Sequence, residues 1–171
     1  MPAVALSGRS PNTAPWMLSV LRLVGLPDDR LVQYRHWSNH QEASLEHEAS
    51  LLCGLAPALV IAKSFGTNVA ALAHENGAFA PNAAVLIGTP FSPMNEQELT
   101  RLRSFAGRQP TLFIQQEFDP GGGAALLSEV VRANTATIAA VAGNDHLYNN
   151  VEELARTILG WPAFHAQRGE A

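Results

Sequence analysis

The chain has 171 residues, 47% of them hydrophobic and 15% charged, with a net charge of −4. That length fits one domain, and the hydrophobic share supplies a core that a disordered segment lacks. Lys and Arg are scattered, which leaves no electrostatic footprint for nucleic acid, and apolar runs of roughly eight residues fall short of the ~20 that a membrane span requires.

Met1 to Leu6 is too short and too poor in basic residues for a secretory leader, so the expected compartment is the cytoplasm. It reads as a first strand, Ala3–Leu6, followed by the loop Ser7-Gly8-Arg9-Ser10-Pro11. A helix pattern over Ala14–Val24 stops at Gly25 and Pro27, and a strand is predicted at Leu31–His36. The helix predicted over Gln41–Leu52 stops at Gly54. It carries the single cysteine's apolar run, so Cys53 is expected in the core and excludes an internal disulfide. Strand Ala58–Ala62 leads into helix Thr67–Asn76, which stops at Gly77, and strand Ala83–Ile87 follows. Ser92 or Asn95 caps a helix through Phe105 that ends at Gly107. Next come strand Thr111–Gln116, helix Gly122–Asn134 and strand Thr137–Ala142. Asn149 or Asn150 caps the last helix, which ends at Gly160 with Pro162 beyond. The last four strands are almost continuously apolar, as strands covered on both faces must be. The alternation predicts an α/β fold: an open, mostly parallel six-stranded sheet with helices on both faces, in one domain over residues 1–162. Residues 163–171 are polar and are expected to fray.

The most informative segment is Ala58-Leu59-Val60-Ile61-Ala62-Lys63-Ser64-Phe65-Gly66-Thr67-Asn68. A buried strand runs straight into a helix with Ser64 at the junction. A turn that sharp lifts the hydroxyl off the sheet edge, and it tolerates only small residues two before and two after, here Ala62 and Gly66. Read alone, the pattern also fits a serine that merely caps a helix. The segment resembles the nucleophile elbow of the α/β-hydrolase family, G-x-S-x-G, with Ala62 in place of the first glycine. The resemblance implies a compact, lidless serine hydrolase on a minimal α/β-hydrolase fold, with Ser64 as nucleophile.

Two later segments fit the same family. Strand Thr111–Gln116 is followed by a loop bearing Asp119, and strand Thr137–Ala142 by a loop bearing His146. The order Ser, Asp, His along the chain is that of α/β-hydrolases, and both loops follow the carboxyl ends of strands, where open sheets bind ligands. His146 is therefore the expected base and Asp119 the orienting acid. Glu117 competes with Asp119, whereas Asp145 is too near His146 in sequence to reach around its ring. Lys63 neighbours Ser64, but adjacent side chains diverge on a turn, and it is expected as a solvent-exposed cation at the cleft rim.

For the oxyanion hole the resemblance implies the backbone amide of Phe65 and one from the first loop, Gly8 or Arg9. Residues 88–110 leave room for one loop and one helix, so the cleft is expected to be open, walled by Arg9, Trp16, Thr89, Phe91, Met94 and Tyr148. Arg9 and Lys63 at its mouth favour a substrate with a remote anionic group. His36, His40, His47, His74 and His165 show no metal-ligand spacing, and Gly121-Gly122-Gly123 lacks the Lys-Ser/Thr of a phosphate loop. No cofactor or metal is expected. The expected partner is a small-molecule acyl substrate, with no nucleic acid and no membrane, and the oligomeric state stays open. The competing expectation is a hydrolase fold kept as a non-catalytic protein-interaction module.

Overall fold

The computed structural model describes residues 2–39, 41–132 and 134–169. Five parallel strands form one sheet in the order β1-β2-β3-β4-β5: Ala3–Leu6, Leu59–Lys63, Ala83–Ile87, Thr111–Gln116 and Ala136–Val141. Side chains alternate across this sheet and divide the core in two. Leu59, Ile61, Val85 and Ile87 face α1 (Ala14–Leu23), α7 (Val151–Leu159) and α8 (Pro162–Arg168). Val60, Ala62, Leu86 and Phe113 face α3 (Leu45–Ala49), α4 (Phe65–Glu75), α5 (Glu96–Arg108) and α6 (Ala124–Val131). Strands β2 and β3 and most of α4 are buried, so the turn at Ser64 lies between two enclosed elements.

The sixth predicted strand, Leu31–His36, does not form. Leu31 makes one isolated bridge to Ala5 and Val32 donates to the Ala5 carbonyl at 2.9 Å, after which the chain turns into a short helix α2, Arg35–Asn39. The buried Glu48 carboxylate diverts it by accepting from the amides of Arg35 at 2.9 Å and His36 at 3.2 Å. Those are the donors a strand would have given to a ladder.

Other boundaries move for local reasons. Within the predicted Gln41–Leu52 helix, α3 starts only at Leu45, where the Ser44 hydroxyl caps the His47 amide at 3.3 Å, and it ends in a 3-10 turn, Ser50–Leu52. Cys53, just past that turn, is exposed instead of buried. The helix predicted from Gly122 begins at Ala124 and ends before Arg132, which adopts a left-handed conformation. Asn95 is the cap of α5, in a reciprocal capping box with Glu98, and Asn150 is the cap of α7. The expected frayed tail is ordered through α8, anchored by fully buried Phe164. His40, Glu170 and Ala171 lie outside the described residues. Among the described residues no helix is long and apolar enough to cross a membrane.

Candidate active site

Register delivers the candidate residues to one sheet edge. Leu6 pairs with Ala62, which sets the Ser7–Arg9 loop beside the turn at Ser64, while Gln116 pairs with Val141 and aligns the ends of β4 and β5. Ser64 has φ 51° and ψ −116° between β2 and α4. A non-glycine residue in such a region costs ~1–3 kcal/mol and persists only where its surroundings over-determine it. Here the Ser64 amide donates to the Ile87 carbonyl at 2.9 Å, and its own carbonyl accepts from the Thr67 hydroxyl at 2.7 Å. A side chain at Gly66 would put its Cβ 2.6 Å from the Leu6 carbonyl oxygen, so only glycine lets α4 start this close to β1.

The Ser64 hydroxyl lies 2.8 Å from His146 Nε2, and His146 Nδ1 lies 2.9 Å from each oxygen of Asp119. The Asp119 side chain is fully buried and also accepts from the Tyr148 hydroxyl and the Gly121 amide, each at 2.7 Å. Burial works against its ionisation, but the bonds from His146, Tyr148 and Gly121 outweigh burial and hold its pKa below the ordinary carboxylate value. The Tyr148 hydroxyl accepts from the Gln116 amide at 2.9 Å, so its proton is directed to Asp119. An ionised Asp119 places the neutral imidazole's proton on Nδ1 and leaves Nε2 free to accept from Ser64. Gly88 makes room for the Tyr148 ring, because a Cβ there would sit 2.6 Å from it.

The profile of the alpha/beta hydrolase domain family matches residues 30–160. The chain belongs to the α/β-hydrolase family. No curated protein matches it. Among solved structures, a hyperthermophilic esterase from the archaeon Pyrobaculum calidifontis superposes with a TM-score of 0.60 at 18% identity, over 99% of this chain and 77% of that one. Carboxyl esterase 2 from the mycorrhizal fungus Tuber melanosporum superposes with a TM-score of 0.58 at 15% identity, over 98% of this chain and 79% of that one. At such identities the likeness is one of fold.

This α/β-hydrolase carries Ala62 where the family elbow has glycine, and its methyl fits in a fully buried position. Of the two other acidic residues weighed, Glu117 is exposed, and Asp145 accepts from Gln116 Nε2 at 3.0 Å and from the Leu147 amide at 2.9 Å. Between β3 and β4 the chain has one loop and α5. The cleft over Ser64 encloses about 410 Å³ and is lined by Arg9, Phe65, Asn68, Pro90, Pro93, Met94 and Glu98. Arg9 and Met94 are thus the predicted wall residues that line it, whereas Trp16, Thr89, Phe91 and Tyr148 do not. Thr89, Phe91 and Tyr148 are buried, Thr89 donating its amide to Gln115 Oε1 and Tyr148 lying behind Asp119. Trp16 packs against the core and donates its indole N–H to the Tyr148 carbonyl at 2.9 Å.

The two first-loop residues differ in their surroundings. Gly8 is buried against Thr13, whereas Arg9 is exposed with its guanidinium 5.3 Å from the Phe65 ring centroid. The Arg9 carbonyl is held by His36 Nε2 at 2.7 Å and Trp37 Nε1 at 2.9 Å. Lys63 is not at the rim: it is only 5% exposed, so the expected pair of cations at the mouth reduces to Arg9. Sequence reasoning also missed Gln116, whose Oε1 accepts from the amides of Asp145 at 3.1 Å and His146 at 2.9 Å. Its position at the end of β4, facing the next loop, is the signal that could have drawn attention to it. Among the described residues no cluster of His, Cys, Asp or Glu is arranged to hold a metal ion.

Proposed function

We infer that the protein is a serine hydrolase that cleaves an ester, thioester or related acyl bond of a small molecule through an acyl-enzyme intermediate. The observation that carries this reading is the unbroken row from the Ser64 hydroxyl through the His146 ring to the Asp119 carboxylate. His146 Nε2 takes the hydroxyl proton as Ser64 Oγ attacks the acyl carbon, and Asp119 stabilises the imidazolium that forms. Charge then develops on the former carbonyl oxygen. Phe65, at the first position of α4, has an amide without an intrahelical acceptor to offer it. Arg9 is favoured over Gly8 for the second amide because Arg9 lines the cleft. His146 next protonates the leaving group, and water repeats the sequence to release the acid. The two esterases of similar fold agree with an ester as substrate.

A fluorophosphonate probe tests the reading. Wild type is expected to be labelled and to hydrolyse p-nitrophenyl esters, and Ser64→Ala to do neither. A folded wild type that takes no label and turns over no ester would overturn it in favour of a fold kept for protein interaction.

A further inference from the structure

Lys63 is the last residue of β2 and the immediate neighbour of Ser64. Its ammonium sits 5.2 Å from the Trp16 ring centroid and 5.3 Å from that of Tyr148, and it donates to the His146 carbonyl at 3.1 Å. Among the described residues no carboxylate lies within ion-pair distance of it. Burying an ammonium without a paired anion is costly, and two aromatic faces with one carbonyl offset that cost only in part.

The carbonyl it holds belongs to an unusual stretch of backbone. His146 has φ 62° and Tyr148 has φ 60°, both left-handed and neither a glycine. Such a loop does not keep its shape unaided. Side chains from elsewhere tether it: Gln116 holds the amides of Asp145 and His146, Trp16 holds the Tyr148 carbonyl, and Lys63 holds the carbonyl of His146 itself. The geometry points to Lys63 as a positioning residue for the base, fixing the backbone from which the His146 ring reaches Ser64. This role rests on the serine-hydrolase reading above.

A dependence on pH follows. Burial lowers the Lys63 pKa to about 8, against the opposing pull of Asp119 and Asp145. The groups facing the ammonium are Trp16 from α1, Asp119 from the loop after β4, and Asp145, His146 and Tyr148 from the loop after β5. Asp119 and Asp145 are held below the ordinary carboxylate range by their hydrogen bonds, and burial pushes the Tyr148 phenol upward. As pH rises through about 8, the charge-assisted bond to the His146 carbonyl becomes a weaker neutral one.

The test compares wild type, Lys63→Met and Lys63→Gln. Misplacing a reacting group by about 1 Å can cost ~100-fold, so Lys63→Met is expected to lower kcat roughly 10–100-fold with KM within about twofold. Lys63→Gln keeps a neutral donor and is expected to recover at least about fivefold of that loss. The alkaline fall in wild-type kcat should be missing from Lys63→Met, and hydrogen exchange of the amides in residues 145–148 should rise. A kcat for Lys63→Met within about twofold of wild type, or no recovery in Lys63→Gln, would overturn the assignment. So would a Lys63→Met chain that fails to fold, since the ammonium would then hold the fold together. Wild type without activity or label would instead remove the hydrolase reading. The exchange measurement would then still report whether Lys63 holds the loop.

Discussion

The two sides of the site reach unusual backbone conformations by different means. On the serine side, Ser64 is held chiefly by the main chain and by packing, with one hydroxyl, that of Thr67, from its own helix: its amide bonds to β3, and Gly66 presses against the end of β1 between buried strands. On the histidine side, the loop follows β5, an edge strand in which every residue but Val141 is half-buried or exposed. There the left-handed residues His146 and Tyr148 are held by the side chains of Gln116, Lys63 and Trp16. A position deep in the sheet can rely on volume and main-chain bonds, whereas a loop off the edge needs polar side chains reaching across to it. The serine side should therefore respond to added atoms, and the histidine side to lost donors, acceptors and charge.

The largest effect is expected on the histidine side. Asp119→Asn removes the anion that selects the imidazole tautomer and should lower kcat by ~10³–10⁴ with the fold retained. Glu117→Gln, at an exposed position, should change kcat less than about twofold. Steady-state kinetics on both variants checks this, and the reverse order would move the acid to Glu117.

Next is a gain in stability that accompanies a loss of activity. The Lys63 pKa is lowered from 10.5 to about 8 in the folded chain, while the unfolded chain keeps the ordinary value. Below about 8 both states carry the proton and the full cost of burying the charge is present. Between about 8 and 10.5 the folded state sheds its proton first, so wild-type stability rises with pH across that window. At about pH 7, Lys63→Met should therefore be more stable than wild type by up to ~3 kcal/mol, with the difference shrinking toward pH ~10. Urea unfolding of the pair at both pH values measures it, and a constant difference would contradict it.

On the serine side, Gly66→Ala should cost ~1–3 kcal/mol, because its Cβ must displace the backbone of Leu6 and Ser7. Denaturant midpoints read the loss. An unchanged midpoint would mean that the elbow yields more easily than its enclosure implies.

The same contrast explains what could be read in the sequence. The elbow is local: a buried strand, small residues around Ser64 and a helix after it are contiguous, and the chain order of Asp119 and His146 adds to the pattern. The tethers are not local. Lys63 and His146 are 83 residues apart, and Trp16 and Tyr148 are 132 apart, so a lysine at a strand end reads as solvent-facing until the fold brings those partners to it. Tyr148 likewise reads as a cleft wall, though its hydroxyl serves Asp119 from behind. The missing sixth strand has a similar origin, since a carboxylate from another helix, Glu48, captures the amides at Arg35 and His36.

The most direct measurement is rapid-quench mass spectrometry during turnover of a short p-nitrophenyl ester. An acyl adduct should accumulate on the peptide containing Ser64, be missing in Ser64→Ala, and form far more slowly in His146→Ala. Turnover that continues in Ser64→Ala, or an adduct mapped to any other residue, would contradict the account.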